Sequence, residues 1–156
     1  MTTRRVTSTD GTALPVRIAR GTHDSTTLVL AHGAGSSMGH PSIVRMQDGL
    51  AARGTTVVTF DFPYRARGRG APDRMPVLVA AFEAVLDAVR GDVPDRLFLG
   101  GRSMGGRMCS MAVAEGLPAA GNCAATIAAM RSISLWIRSA TITAASRSAG
   151  ISVAWL

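Results

Sequence analysis

The stretch RLFLGGRSMGGRM, residues 96–108, constrains the fold more than any other part of the sequence. An apolar run ends abruptly at Gly101, a serine follows at position 103, and a segment with helical spacing of its apolar residues begins near Gly105. Short apolar runs bounded by glycine are typical of buried strands, and the spacing after Ser103 predicts a helix to about Glu115. The sequence therefore predicts a sharp turn from a strand into a helix, centred on the serine.

Two other apolar runs are followed by a turn and a helix in the same order. The predicted strands are residues 26–31 and 55–60, and the predicted helices after them are residues 41–52 and 75–90. The second of these helices carries its apolar residues on one face, which indicates that this face packs against a sheet. Strands that alternate with helices predict parallel β-α-β units, with helices on both faces of the sheet.

The beginning of the chain has a different pattern. Residues 4–20 contain two short apolar segments separated by Asp10-Gly11, a pair that is typical of a tight hairpin turn. A length of 156 residues fits a single domain. The predicted fold is therefore of the α/β class: a mostly parallel sheet flanked by helices and preceded by an antiparallel hairpin.

The composition argues against a nucleic-acid or membrane partner. The net charge is +7, but all 17 basic residues are arginine, which fits the coding bias of a GC-rich genome better than a phosphate-binding surface. Arg65, Arg67, Arg69 and Arg74 cluster in one loop, for which a solvated surface is favoured over an anion site.

The sequence shows no segment that would direct the chain to or through a membrane. The first residues lack the apolar core of a secretory signal, and the uncharged residues 116–130 are too few to span a bilayer. A cytoplasmic location is predicted, and the oligomeric state stays open.

Cysteine chemistry is not indicated by the spacing of the two cysteines. Cys109 and Cys123 have no CxxC partner, and two cysteines are too few for a disulfide scaffold. We expect Cys109 to pack in its helix as a small apolar side chain. The sequence predicts neither a metal site nor a cofactor.

The Gly-x-Ser-x-Gly pattern at residues 101–105 gives the predicted turn a chemical interpretation. In such a turn the serine backbone is strained, at a cost of about 1–3 kcal/mol, and the hydroxyl is lifted above the sheet. Gly101 and Gly105 face the crossing of strand and helix, where larger side chains would clash. The Met104 N–H at the start of the helix then becomes a candidate donor to an oxyanion that develops beside Ser103.

A second oxyanion donor is expected from a loop that follows an earlier strand. The sequence His32-Gly33-Ala34-Gly35 comes directly after the strand at residues 26–31. We predict that the Ala34 N–H is this donor, with Gly33 as the next choice and Gly35 as a supporting position. His32 is expected to anchor the loop through a hydrogen bond.

Residues 28–35, 60–65 and 97–107 together make the sequence similar to the α/β-hydrolase superfamily. Within it, the chain most resembles the dienelactone-hydrolase-like branch shared with testis-expressed and NSL-complex hydrolase-like domains. The similarity extends over about residues 5–121.

The resemblance implies a reaction and a set of residues. It implies a serine nucleophile at Ser103, oxyanion donors at Ala34 and Met104, and hydrolysis of an ester, a lactone or a related acyl bond. The partner would be a small-molecule acyl substrate, and no cofactor would be needed.

The chain departs from the hydrolase pattern after the serine. That pattern places an aspartate or glutamate and then a histidine after the nucleophile, but here Glu115 is the single acid that follows, and no histidine does. His23, His32 and His40 all precede Ser103; His40 is expected to begin a helix and His23 to be exposed. Removing the catalytic histidine of a serine protease costs about 10⁶-fold in turnover, so an impaired enzyme is predicted.

The last part of the sequence differs in composition from the rest. Residues 122–156 contain both tryptophans and no acidic residue. We predict a core at residues 1–121 followed by an atypical tail, as a reading-frame change near Gly121 would produce, with the last strands of the fold missing. The alternative is a divergent tail with one or two strands, since residues 132–143 show partial alternation.

Two other functions are left open by the residues. One is a non-catalytic hydrolase-like fragment with a vestigial site. The other is dinucleotide binding, because Gly33, Gly35 and Gly39 follow a strand and Asp61 ends the next strand. This second interpretation leaves the turn at Ser103 unexplained.

Overall fold

A computed structural model describes residues 1–22, 26–90, 97–114 and 124–127. The elements in chain order are β1 (Thr2–Thr7), β2 (Ala13–Ala19), β3 (Thr27–Ala31), α1 (Pro41–Ala51), β4 (Thr56–Phe60), α2 (Pro63–Ala66), α3 (Met75–Arg90), β5 (Leu97–Arg102), α4 (Met104–Ala114) and β6 (Ala124–Ile127). The predicted strands and helices that fall on these residues are confirmed, with ends that differ by no more than two residues, and the alternative strands at residues 132–143 lie outside the described residues. The predicted α/β fold class is confirmed as well.

The strands of the described residues form one sheet in the order β1-β2-β4-β3-β5-β6. The β1–β2 hairpin is antiparallel, and β2 also runs antiparallel to β4. The pairs β3–β4, β3–β5 and β5–β6 are parallel. Because parallel strands end at the same edge of a sheet, the segments that follow β3, β4 and β5 are brought together there.

The central strand β3 is buried on both faces, as expected for a parallel strand covered by helices. Leu28 and Leu30 pack in a cluster with Ile43 and Leu50 of α1. Val29 points to the other face, into a larger core formed with α3 and α4. The alternation of side chains along a strand thus divides one apolar run between two cores.

Two elements were not predicted from the sequence. The helix α2 has four residues, too few to show a helical period; Pro63 begins it, at a position where the missing N–H of proline costs nothing. The strand β6 lies within the predicted tail; Pro118 and Gly121-Asn122 precede it in the sequence, but its four residues are too few to show a clear strand pattern.

The arginine-rich loop is tied to the β1–β2 hairpin by ion pairs. Arg67 pairs with Asp10 at 2.8 Å and with Asp73 at 2.8 Å, and Arg69 also pairs with Asp73. Hydrogen bonds from Thr12, together with the Arg67 guanidinium, hold the pKa of the Asp10 carboxyl below its usual value. Since these two arginines already have acidic partners, the geometry favours the predicted solvated loop over an anion site.

Candidate active site

The turn at Ser103 has the predicted strained geometry. β5 ends at Arg102 and α4 begins at Met104, so the serine alone joins the strand to the helix. Its φ is 52°, which makes it the only non-glycine residue with positive φ in the described part of the chain. A side chain in this left-handed region costs about 1–2 kcal/mol. The residue is exposed to solvent.

The glycines on either side of the serine are sterically required. A Cβ on Gly101 would lie 2.3 Å from the Gly105 carbonyl carbon. A Cβ on Gly105 would lie 2.5 Å from the carbonyl oxygen of Ala31 and 2.6 Å from that of His32. These contacts are with backbone atoms, which cannot rotate away. The predicted steric role of both glycines is therefore confirmed.

The loop after β3 lies against the serine turn. A Cβ on Gly33 would be 3.5 Å from the Cβ of Ser103 and 3.2 Å from the Arg102 carbonyl oxygen. Ala34, the next residue, is exposed on this loop. The Met104 N–H stands at the first position of α4, where no intrahelical acceptor is available. The fold thus brings together the segments that carry all three residues predicted for the site.

His32 is completely buried and has a partner for each ring nitrogen. The Phe62 N–H donates to Nε2 at 3.3 Å, so Nε2 carries no proton, and Nδ1–H donates to the Gly33 carbonyl oxygen at 2.8 Å. The predicted hydrogen bond from His32 to its own loop is present. Burial lowers the pKa of His32 below its usual value, and the ring is therefore neutral at pH 7. The 3.6 Å approach of Nε2 to the Asp61 carboxylate is accordingly not an ion pair at that pH.

Two residues that contact this loop were not assigned to the site from the sequence. The Asp61 Oδ1 accepts a hydrogen bond from the Met38 N–H at 2.6 Å. The Tyr64 hydroxyl is buried and donates to the Gly33 carbonyl oxygen at 3.5 Å. Both residues follow β4, and only the pairing of β4 with β3 places them beside the loop.

The other titratable residues named from the sequence are placed as follows. His40 caps the N-terminus of α1, where its side chain accepts a hydrogen bond from the Ser42 N–H, which confirms that it begins a helix. Cys109 is buried in α4, where burial raises the pKa of its thiol, and it packs as the predicted small apolar side chain. His23, Glu115 and Cys123 lie outside the described residues.

No metal-type cluster of three or more His, Cys, Asp or Glu side chains is found within residues 1–22, 26–90, 97–114 and 124–127. In the same ranges, no helix combines the length and the apolar character that crossing a membrane requires.

Residues 24–129 match the family model of the alpha/beta hydrolase domain. The match extends into β6 and so beyond the end at about residue 121 that the sequence resemblance indicated. Comparison with curated proteins finds no match.

Many solved structures share the fold. Est1E from Butyrivibrio proteoclasticus has 18% sequence identity and a TM-score of 0.65, with 81% of this chain and 49% of that chain covered. An alpha-beta serine hydrolase homologue from Coxiella burnetii has 24% identity and a TM-score of 0.66, with 80% and 61% covered. XC6422 from Xanthomonas campestris, described as an a/b serine hydrolase without lid, has 22% identity and a TM-score of 0.64, with 80% and 59% covered. The chain thus spans about half to three fifths of the length of these relatives.

Proposed function

Because this chain belongs to the α/β-hydrolase family, we propose that Ser103 is the nucleophile of a hydrolase that acts on esters, lactones or related acyl bonds. The observation that carries the proposal is the strained, exposed turn at Ser103, with the loop of Gly33 packed against it. A strained residue that the surrounding structure holds in place is typical of functional sites. The resemblance to the dienelactone-hydrolase-like branch supports an ester or a lactone as the bond that is cleaved.

In the proposed reaction the Ser103 Oγ attacks the carbonyl carbon of the substrate while its proton passes to solvent water, and the carbonyl oxygen becomes an oxyanion. The N–H groups of Ala34 and Met104 donate hydrogen bonds to this oxyanion. Collapse of the intermediate breaks the bond to the leaving oxygen, which takes up a proton from solvent and becomes an alcohol. Water then hydrolyses the acyl-serine, which releases the acid and restores the Ser103 hydroxyl. In a serine protease, one such donor contributes about 2.7–4 kcal/mol to transition-state stabilisation.

Among the described residues, the candidate site offers Ser103 no evident general base. No histidine and no aspartate follow Ser103 in the 156 residues, and His32 has both ring nitrogens engaged in hydrogen bonds. Oxyanion donors and substrate binding alone leave about 10³–10⁴-fold acceleration over water. We therefore propose that this chain hydrolyses activated esters only weakly, in keeping with the impairment predicted from the sequence.

The test is labelling of the chain with a fluorophosphonate probe, with and without imidazole as an added base. We expect slow labelling of Ser103 that imidazole accelerates, and no labelling of the Ser103→Ala variant under either condition. The variant also corrects for the reaction of imidazole with the probe in solution. Absence of labelling even at high imidazole would favour the alternative, a hydrolase-like fragment without catalytic activity.

Dinucleotide binding is not supported by the placement of its residues. Gly33 approaches Arg102 and Ser103, so its small size is explained by the packing of two protein segments. The Asp61 carboxylate, which would have to bind a ribose, accepts a hydrogen bond from the Met38 N–H of the same chain.

A further inference from the structure

Four consecutive residues, Asp61–Tyr64, hold the loop that follows β3 at three points. The Asp61 carboxylate accepts from the Met38 N–H at the far end of the loop. The Phe62 N–H donates to the imidazole of His32 at its near end. The Tyr64 hydroxyl donates to the Gly33 carbonyl oxygen between them. We call Asp61–Tyr64 the clamp segment.

The Gly33 carbonyl is the point on which these contacts converge. Its oxygen accepts from His32 Nδ1–H at 2.8 Å, from the Ser36 N–H at 3.2 Å and from the Tyr64 hydroxyl at 3.5 Å. The Gly33 C=O and the Ala34 N–H belong to the same planar peptide group, and in a trans peptide they point in opposite directions. Donors that fix the carbonyl on the protein side therefore fix the Ala34 N–H on the side of solvent.

We propose that the clamp segment positions the Ala34 N–H for the oxyanion, with Tyr64 and Asp61 as positioning residues. This inference rests on the proposed function, because the Ala34 N–H acts in catalysis only if Ser103 is the nucleophile. Neither side chain touches the substrate in this scheme. Each acts through the backbone of the loop.

Burial keeps the Tyr64 hydroxyl, and the His32 imidazole that it contacts through the loop, each in one protonation state. Burial raises the pKa of the Tyr64 hydroxyl, so it remains a neutral donor at physiological pH. His32 stays neutral, and its ring packs edge-on against Phe62 with centroids 5.0 Å apart. Phe62 in turn stacks on Tyr64 at 6.5 Å, and Pro63 fixes the backbone between them. Ring packing and hydrogen bonds therefore hold the same peptide from one side.

Amide hydrogen exchange, followed by NMR, tests the clamp without requiring activity. The Ser36 N–H reports on the Gly33 carbonyl, and the Met38 N–H reports on the Asp61 carboxylate. Tyr64→Phe removes a donor that holds the Gly33 carbonyl, so we expect the loop to open more often and exchange at Ser36 to become about fivefold faster. Asp61→Ala removes the acceptor of the Met38 N–H itself, so we expect exchange at Met38 to become about tenfold faster. The conservative variant Asp61→Asn, which keeps a carbonyl acceptor, should restore most of the protection at Met38.

A matched control separates a local effect from a general loss of stability. Thr59 is buried in β4, and its hydroxyl makes no hydrogen bond to the described residues, so Thr59→Val removes a hydroxyl without removing a contact of the loop. Exchange at Ser36 and Met38 should be unchanged in this variant, and amides within β3 should keep their rates in all of the variants. If the Tyr64 and Asp61 variants leave Ser36 and Met38 within twofold of the wild type, the clamp is refuted.

The link to the oxyanion is tested by the labelling kinetics of the same variants. For Tyr64→Phe and Asp61→Ala we expect the maximal rate of fluorophosphonate labelling to fall about tenfold while the half-saturating probe concentration stays constant, since misplacing a catalytic group affects the transition state. Equal maximal rates would overturn the positioning role. If the wild type is not labelled at all, the proposed function fails, and hydrogen exchange alone decides whether the segment clamps the loop. If Asp61→Ala does not fold, Tyr64→Phe carries both tests.

Discussion

The two halves of the candidate site are held by different forces. The serine turn is fixed by close packing of backbone against backbone: at Gly101 and Gly105 there is no room for a single added carbon. Beyond Gly33, which packs against Arg102 and Ser103, the loop after β3 is fixed mainly by hydrogen bonds, and at Gly35 an added carbon would meet nothing within 4 Å. One half tolerates no added volume, whereas the other depends on donors and acceptors contributed by the clamp segment. Added volume at Gly101 or Gly105 should therefore unfold the protein, whereas removal of one hydrogen bond from the loop should cost only part of its stability.

The largest effect is expected from Gly105→Val. A branched side chain at this position would overlap the carbonyl groups that end β3, so the crossing of α4 and β3 would have to open. Overpacking costs about 1–3 kcal/mol at ordinary core sites and more against rigid backbone, out of a total stability of about 5–15 kcal/mol. We expect an unfolded or insoluble protein. Gly70→Val, in an open part of a surface loop, is the control and should melt like the wild type. A soluble Gly105→Val protein with an unchanged melting temperature would show that the turn is not tightly packed.

A pH-dependent loss of stability is expected from the loop, through His32. Its pKa in the folded state lies below 6.5, the value of the unfolded chain, so its contribution is fully present above pH 6.5. As the pH falls below 6.5, the unfolded state takes up a proton that the folded state does not. The free energy of unfolding then decreases by up to about 1.4 kcal/mol per pH unit until the folded-state pKa is reached. Urea titrations of the wild type and His32→Gln should show this slope in the wild type alone. His40→Gln, which changes an exposed histidine, should retain it.

A smaller effect is expected from Gly35→Ala. The site is open, but φ is +67°, where an L-residue costs about 1–2 kcal/mol relative to its ordinary conformation. We expect a loss of about 1 kcal/mol in the free energy of unfolding, measured by urea denaturation. No loss would indicate that the loop can adopt another backbone conformation, and the contrast with the rigid turn would become sharper.

The smallest expected effect is an increase in the free energy of unfolding, in the variant Ser103→Gly. Ser103→Gly relieves the left-handed strain of about 1–2 kcal/mol but adds about 0.5–1 kcal/mol of chain entropy to the unfolded state, for a net gain of about 0.5 kcal/mol. Ser103→Ala keeps the strain and should match the wild type in thermal and urea unfolding. A destabilised Ser103→Gly protein would mean that the serine side chain makes a stabilising contact, which would weaken the case that the strain is retained for function.

The same division explains what could be predicted from the sequence. The glycines of the turn were correctly interpreted because their requirement is local: a strand, a serine and a helix follow one another within a few residues. The roles of Asp61 and Tyr64 depend on which strand β4 pairs with, and a local pattern does not contain that information. The placement of β4 between β2 and β3 was therefore not predicted, and neither was the clamp segment. The assignments of Ser103, Ala34 and Met104 to a catalytic role remain predictions.

The strand order has a consequence for how the chain folds. The hairpin β1–β2 joins the sheet only through β4, although β3 and α1 lie between β2 and β4 in the chain. During synthesis, β2 must therefore wait with one edge unpaired while its partner is still being made. Contacts between distant parts of a chain slow folding, and an unpaired strand edge invites association with other chains. The exposed polar residues Thr3, Arg5 and Thr7 lie on β1, on the other side of the hairpin, so they do not cover this edge of β2.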